Sequence, residues 1–424
     1  MSERLQAPRG TFDILPDQAA QRAVVEKQAR RVLERAGYRR IETPAFEATQ
    51  LFERGVGQAT DVVQKEMYSF RDGGGRSMTL RPEGTAPICR AYVEHGMHKL
   101  PQPVRLWYHG PYFRHEAPQA GRFRQFRQVG IEAIGSDDPL VDAEAILLLA
   151  ELLEALGVRP LRLRLASLGT PASRAAYRQE LRAYLRARES ELSDDVRARL
   201  DVNPLRAFDS DHPGTRNVMR DAPRLLDRLA AEEREHFAAV RAALDAVELP
   251  YQVDPTLVRG LDYYTRTVFE FESPALGAQS GVGGGGRYDG LVEQLGGKPT
   301  PAVGFGLGIE RLLLLLAELG IAAPDASPVA YAIVPSPAAL ASALAVLETL
   351  RTAGVSVLMH AGGGSMKSQF KRADASGARY ALIFGDDEVA RGELSLKNLR
   401  DAAAAQRALP LAGVSSWAAD LLNA

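Results

Sequence analysis

The chain has one cysteine in 424 residues, Cys89, which excludes an internal disulfide and a cysteine-based zinc site. Cys89 sits in the apolar stretch Ala86-Pro87-Ile88-Cys89-Arg90-Ala91-Tyr92 with no CxxC partner, and it reads as a buried structural thiol. Long apolar runs are also missing. The longest aliphatic one, 312–317, is far too short to span a bilayer, and residues 1–10 lack the apolar core of a signal peptide. A cytoplasmic location with no membrane partner is the expectation. Neither a P-loop nor a βαβ rhythm occurs in the first part of the chain, which argues against a Rossmann-type nucleotide site. Lysine is scarce and arginine abundant, so most positive charge sits on guanidinium groups. Their planar fork suits phosphate, but a coding bias explains the global count at least as well, so only particular arginines carry weight. What remains is ordinary for a globular enzyme: 46% hydrophobic, 25% charged and a formal net charge of -1. The length points to two or three domains.

Apolar positions recur at helical spacing over 17–36 (Val24, Val25, Ala29, Val32, Leu33), and Gly37 ends the run as a C-cap would. Strands are expected at 38–43 (stopped by Pro44), 66–71, 77–81, 104–113 and 123–135, together forming an antiparallel sheet with helices packed on it. A helix is expected at 140–156. From Thr170 to about 249 the composition is helical and arginine-rich, bounded by Gly169-Thr170-Pro171 and Leu249-Pro250, and reads as an all-α insertion. Strand character returns at 251–253 and 264–272, followed by a glycine-rich stretch at 281–286 and by 304–308 running into a helix. The linker 322–328 marks a boundary. Beyond it, strand and helix alternate at 329–334, 338–353, 355–359, 365–376 and 380–385, giving a small α/β domain with a parallel or mixed sheet. The expected domains are 1–325, with the insertion at about 170–250, and 329–424.

Two segments have the makings of a nucleotide site. Gly110-Pro111-Tyr112-Phe113-Arg114-His115-Glu116 leads through a polar loop to Arg122-Phe123-Arg124-Gln125-Phe126. On such a hairpin Arg114 can neutralise an α-phosphate, with most effect where charge develops, and Phe126 offers a flat surface to a purine. In Gly304-Phe305-Gly306-Leu307-Gly308-Ile309-Glu310-Arg311, glycines allow close backbone approach and Arg311 can pair with a terminal phosphate. Read singly, a solvated arginine-rich hairpin and a packed strand–turn–helix explain them too.

With Gly37-Tyr38-Arg39-Arg40-Ile41-Glu42-Thr43-Pro44 upstream, the three segments resemble motifs 2, 3 and 1 of the class II aminoacyl-tRNA synthetases. Leu257-Val258-Arg259-Gly260-Leu261-Asp262-Tyr263-Tyr264-Thr265 and Gly283-Gly284-Gly285-Gly286-Arg287-Tyr288-Asp289 resemble the histidine motifs of histidyl-tRNA synthetases. Leu80-Arg81-Pro82-Glu83-Gly84-Thr85 resembles the amino-acid-binding strand of the bacterial form. The resemblance spans essentially the whole chain. It implies an α+β catalytic domain (an antiparallel sheet flanked by helices) with an all-α insertion, and a C-terminal α/β anticodon-binding domain. It also implies a homodimer built through motif 1, and adenylation of L-histidine with ATP and Mg2+ followed by transfer to tRNA(His).

The resemblance also implies roles. Glu83, Thr85 and Gln128 match ammonium-binding groups, Glu132 and Tyr264 match partners of the imidazole, and Tyr263 and Tyr288 line the pocket. Arg259 approaches the histidine carboxylate and the α-phosphate together, as a metal ion often does, and Arg114 supports the same centre. Arg122 and Arg311 clamp the outer phosphates, Phe126 meets the adenine, and Glu116 meets the adenine or, through Mg2+, the phosphates. The loop 117–121 faces the acceptor end. Ala117 stands where related bacterial enzymes usually have arginine, which leaves Gln119 as the candidate contact. The insertion's arginines are expected on the acceptor backbone, and Lys367, Lys371 and Arg372 on phosphates. Positioning and electrostatics suffice for adenylation, with no protein nucleophile. The nearest rival is the non-catalytic regulatory subunit of the first histidine-biosynthesis enzyme, which tends to lose motif residues and the anticodon domain. A fold-borrowing RNA-binding or sensor module would bind without turnover, and a class II synthetase for another amino acid would lack Arg259 to Tyr264.

Overall fold

The computed structural model describes residues 4–423 apart from 58–59, 118, 120, 258–259, 278–279, 324 and 361–363, and at 206, 209 and 423 it describes the backbone only. The chain divides into two units, Met1–Ala323 and Pro324–Ala424.

The first unit is built on an eight-stranded sheet. Its order is Arg39–Arg40, Val104–Phe113, Gln125–Ile134, Ala302–Gly308, Gly281–Arg287, Thr265–Glu272, Arg162–Ser167, Gln252–Val253. The inner pairings are antiparallel, as expected. Both edge pairings are parallel, which requires a long crossover to each two-residue edge strand: 41–103, with strands and helices of its own, at one edge and the helical insertion at the other. The strand expected at 38–43 is therefore short: Ile41 N–H still reaches the Trp107 carbonyl at 2.9 Å, and the chain then leaves the sheet. The strands expected at 66–71 and 77–81 are not in this sheet. Tyr68–Arg71 and Ser77–Leu80 join Phe46–Ala48 in a separate three-stranded sheet. The strand Arg162–Ser167 was not anticipated, although its Arg/Leu alternation encodes it. Leu163 and Leu165 are buried while Arg164 pairs at 2.7 Å with both Asp254 and Glu272.

Helix Pro139–Ala155 starts at an Asp138 cap and lies on the sheet, with Ile146, Leu149, Leu152 and Leu153 fully buried against Ile131, Leu165 and Phe269. Each such side chain contributes about 1.5–3 kcal/mol by burial. In the insertion, Tyr177, Leu181, Leu185, Leu192, Val196 and Val218 form a small core of their own. Its last helix, Ala231–Ala246, instead sends Phe237, Val240 and Leu244 into the main core.

The second unit has five strands in the order Val357–Met359, Ala330–Ile333, Tyr380–Ile383, Glu393–Asn398, Arg407–Pro410. The first three are parallel and the last two antiparallel. Helices Leu340–Thr352 and Val414–Asn423 cover it through Leu347, Leu350, Trp417 and Leu421.

Candidate functional site

Strands Val104–Phe113 and Gln125–Ile134 pair antiparallel, which sets Tyr108 opposite Gly130, Gly110 opposite Gln128 and Tyr112 opposite Phe126. Directly opposed residues share a face. The next strand continues that face with Gly304 opposite Glu132, Gly306 opposite Gly130 and Gly308 opposite Gln128. The face is therefore a floor of glycine backbone on which a few large polar side chains lie flat. A Cβ at Gly130 would overlap the Tyr108 hydroxyl, and one at Gly304 would overlap the Glu132 carboxylate. The glycines here make room; none of these positions needs a left-handed backbone.

Above this floor is a cavity of about 230 Å³. Among its lining residues are Glu83, Thr85, Arg114, Gln128, Glu132, Tyr263, Tyr264 and Tyr288, every described residue that the sequence analysis assigned to histidine. Arg259 lies outside the described residues, although the next two residues, Gly260 and Leu261, line the cavity. A second cavity of about 220 Å³ is lined by Arg114, Glu116, Arg122, Phe126 and Arg311, together with Gly121, Phe123, Gly308 and Glu310. Those five are the residues assigned to ATP. Arg114 lines both cavities. Gln119 lines neither; its backbone exchanges hydrogen bonds with that of Arg122 at 3.2 and 2.9 Å within the hairpin loop.

The inner cavity is organised around two buried carboxyls. Glu132 accepts from the Thr85 hydroxyl at 2.8 Å and from the Tyr288 hydroxyl. Burial pushes its pKa up to about 8, against the lowering effect of these hydrogen bonds. Glu83 accepts from the backbone N–H groups of Thr85 at 2.7 Å and Ala86 at 2.9 Å, at the start of helix Thr85–Glu94. Burial raises its pKa too, and these N–H groups and the charge of Arg114 restrain the rise. The Tyr263 ring packs between Tyr264, at 4.8 Å, and Tyr288, at 5.5 Å.

The outer cavity is cationic. Arg114 is aimed by a 2.9 Å hydrogen bond from Nε to the Pro82 carbonyl, with its guanidinium 5.4 Å from the Phe126 ring centre. Arg122 lies 3.6 Å from Glu116. Arg311 donates to the Gly281 carbonyl, and burial followed by the charge of Arg122 lowers its pKa. Among the described residues no cluster of three or more acidic, histidine or cysteine side chains is placed to hold a metal by itself. Glu116 fits the one-carboxylate share of a Mg2+ that arrives on phosphates.

Three residues that position the site were given no role from sequence, although Glu310 and Arg287 stand within the quoted motifs. Tyr108 is buried beside Glu132, and burial raises its pKa well above the ordinary value. Glu310 accepts from Arg22 at 2.7 Å and from the Arg127 N–H at 2.8 Å, pinning the start of helix Ile309–Glu318 to the hairpin. Buried Arg287 holds Asp142 at 3.0 Å behind the site. The large-residue-opposite-glycine pairing of Tyr108 with Gly130 becomes a signal only once the register is known.

The family model described as histidyl-tRNA synthetase matches residues 10–312, and that described as anticodon binding domain matches 330–420. A histidine–tRNA ligase of Halorhodospira halophila is 52% identical over 99% of this chain and 99% of its own length. One of Aromatoleum aromaticum is 50% identical over 100% of this chain and 96% of its own. The crystal structure of apo Staphylococcus aureus histidyl-tRNA synthetase superposes with a TM-score of 0.82 at 35% identity, covering 98% of this chain and 100% of that one.

Proposed function

Because the chain belongs to the histidyl-tRNA synthetase family, we propose that the inner cavity takes L-histidine and the outer one ATP, so that their reacting groups meet at Arg114. The activity is that of a histidine–tRNA ligase: L-histidine and ATP give histidyl-adenylate and pyrophosphate, and histidine then passes to the 3′ end of its tRNA with release of AMP. The observation that carries the site reading is that one arginine among the described residues, Arg114, lines both cavities.

Glu83, Thr85 and Gln128 receive the ammonium, and Glu132 and Tyr264 receive the imidazole, with Tyr263 and Tyr288 closing the pocket. An apolar amino acid of the same shape would leave those polar groups unpaired and is rejected on that ground. Arg114 and Arg259 together offset the repulsion between the attacking carboxylate and the α-phosphate, and they act most strongly on the charge that develops in the transition state. Arg122 and Arg311 hold the outer phosphates, Phe126 meets the adenine, and Glu116 serves the adenine or Mg2+. When bound, Mg2+ neutralises phosphate charge; holding both substrates in line is the work of the side chains.

Gln119 in the hairpin loop reads the acceptor end. The insertion contributes a cavity of about 270 Å³ lined by Arg216, Arg220, Arg224 and Phe208, which suits an RNA backbone. The unit Pro324–Ala424, matched by the anticodon-binding family, reads the other end of the tRNA. The dimer forms through 37–44, and the enzyme works in the cytoplasm; no helix among the described residues is long and apolar enough to cross a membrane. Histidine-dependent ATP–pyrophosphate exchange tests the reading. Arg259→His should lower the exchange rate far more than it weakens histidine binding. Exchange near the wild-type rate in that variant removes Arg259 from the mechanism, and wild-type enzyme without histidine-dependent exchange overturns the whole assignment.

A further inference from the structure

The insertion is rooted on the backbone that carries the histidine pocket. Its first helix, Pro171–Arg186, begins at Thr170, and its last, Ala231–Ala246, begins beside Ala230. Glu233 ties the two starts together, accepting from the Thr170 N–H at 2.6 Å, the Ser173 hydroxyl at 2.9 Å and the Ala230 N–H at 2.7 Å. Both helices then reach the same short segment. From the first, Arg174 Nη1 donates to the Tyr264 carbonyl at 2.7 Å. From the last, Glu232 accepts from Arg266 Nη2 at 2.6 Å. Arg266 sits at φ 47, a left-handed conformation costly for arginine, and is held there by exchange with the chain leading into the insertion. Its N–H reaches the Gly169 carbonyl at 2.8 Å, and its carbonyl receives the Leu168 N–H at 2.7 Å.

Tyr264 therefore has two faces to its role. Its ring lines the inner cavity, while its carbonyl is held by a side chain of the insertion. The ladder is irregular where this segment begins: the pairing of Thr265–Glu272 with Gly281–Arg287 shifts register between Gly286 and Arg287, next to Thr265. Arg174 is half-buried, and burial followed by the neighbouring charge of Arg178 lowers its pKa, so it is not simply a solvated surface charge.

We infer that Arg174 is a positioning residue for histidine selection: by holding the Tyr264 carbonyl it sets the ring of Tyr264 against the imidazole, and it makes the histidine pocket responsive to the placement of the insertion. This rests on the histidine reading of the inner cavity. A lost hydrogen bond from a charged donor corresponds to at least about tenfold in affinity. In ATP–pyrophosphate exchange, Arg174→Met should therefore raise KM for histidine by about that factor, with kcat at saturating histidine and KM for ATP near wild type. Arg174→Lys, which keeps a cationic donor, should recover most of the loss. Arg182→Met, two turns further along the same helix, where the guanidinium bonds the Asp201 carbonyl inside the insertion, should leave all three parameters unchanged. Should the methionine variant fail to fold, Arg174→Gln, which keeps polarity but not reach, carries the same expectation. A histidine KM equal to wild type in the folded variant, or a fall in kcat with KM unmoved, overturns the inference. Absence of exchange in the wild type would instead bring down the reading beneath it.

Discussion

The Glu132 carboxyl makes the stability of the empty enzyme depend on pH in a way that can be worked out beforehand. Its ordinary pKa is 4.5, and burial in the inner cavity pushes it to about 8. Between those values the folded chain keeps a proton that the unfolded chain releases. The stability tied to Glu132 is thus fully present below about 4.5 and is lost as the pH rises towards 8, by about 1.4 kcal/mol per pH unit. From pH 5.5 to 7.5 the loss is about 2–3 kcal/mol. For a unit the size of Met1–Ala323, that is roughly 4 °C in melting temperature. Glu132→Gln is neutral at every pH and nearly isosteric with the protonated acid, so it should not share the slope. Thermal scans of both proteins without substrate, at one scan rate and at pH 5.5, 6.5, 7.5 and 8.5, isolate the effect because other groups cancel in the difference. The variant should gain about 4 °C on the wild type between the first and third conditions, and little more beyond pH 8. A constant offset across the series would refute the buried-proton argument. The same variant should bind histidine poorly, since an amide cannot ionise on meeting the imidazole and offers one acceptor oxygen where the carboxylate offers two.

Gly304→Ala places a methyl group on the Glu132 carboxylate and on the neighbouring Ile131 carbonyl; backbone cannot give way there, so histidine KM should rise steeply while the fold loses about 1–3 kcal/mol, read by exchange kinetics and a urea midpoint. An unchanged KM would mean that the glycine floor does not shape the pocket. Asp142→Ala leaves Arg287, fully buried, without its main partner; because Arg287 keeps the Ser136 carbonyl at 2.8 Å and Asp289 at 3.3 Å, the loss should lie near the lower end of about 3–5 kcal/mol by denaturant titration.

Much of the site was legible in the order of residues because short motifs write their chemistry locally. Phe113-Arg114-His115-Glu116 and Gly308-Ile309-Glu310-Arg311 each put an arginine where a strand meets a loop or helix, and both arginines line the outer cavity. Helices Pro16–Arg35 and Pro139–Ala155 announced themselves by period, since a one-sided apolar face needs nothing beyond its own spacing. Strand Arg162–Ser167 went unread despite its alternation, because six residues carry only a short pattern, and the strands at 66–71 and 77–81 were legible as strands but not as a separate sheet, because a strand's partner is chosen by the rest of the chain. Glu83 illustrates the same limit within the site: its place beside Thr85 is visible in sequence, its capping of the helix that begins there is not.

What the sequence determined by itself is the inventory: which side chains are present to hold an amino acid and a nucleotide, and in what order, since covalent neighbours need no folding to stand together. What only the tertiary structure decided is distance between strangers. The inner cavity has its floor because one ladder register sets Gly130 beneath Tyr108 and Gly304 beneath Glu132 rather than side chains, and Arg114 comes to line both cavities by reaching the Pro82 carbonyl, thirty-two positions earlier. Tyr264 becomes answerable to the insertion because Arg174, ninety positions earlier, closes on its carbonyl. A register shift of one residue would send every large group on that floor to the opposite face, and no local pattern records that choice.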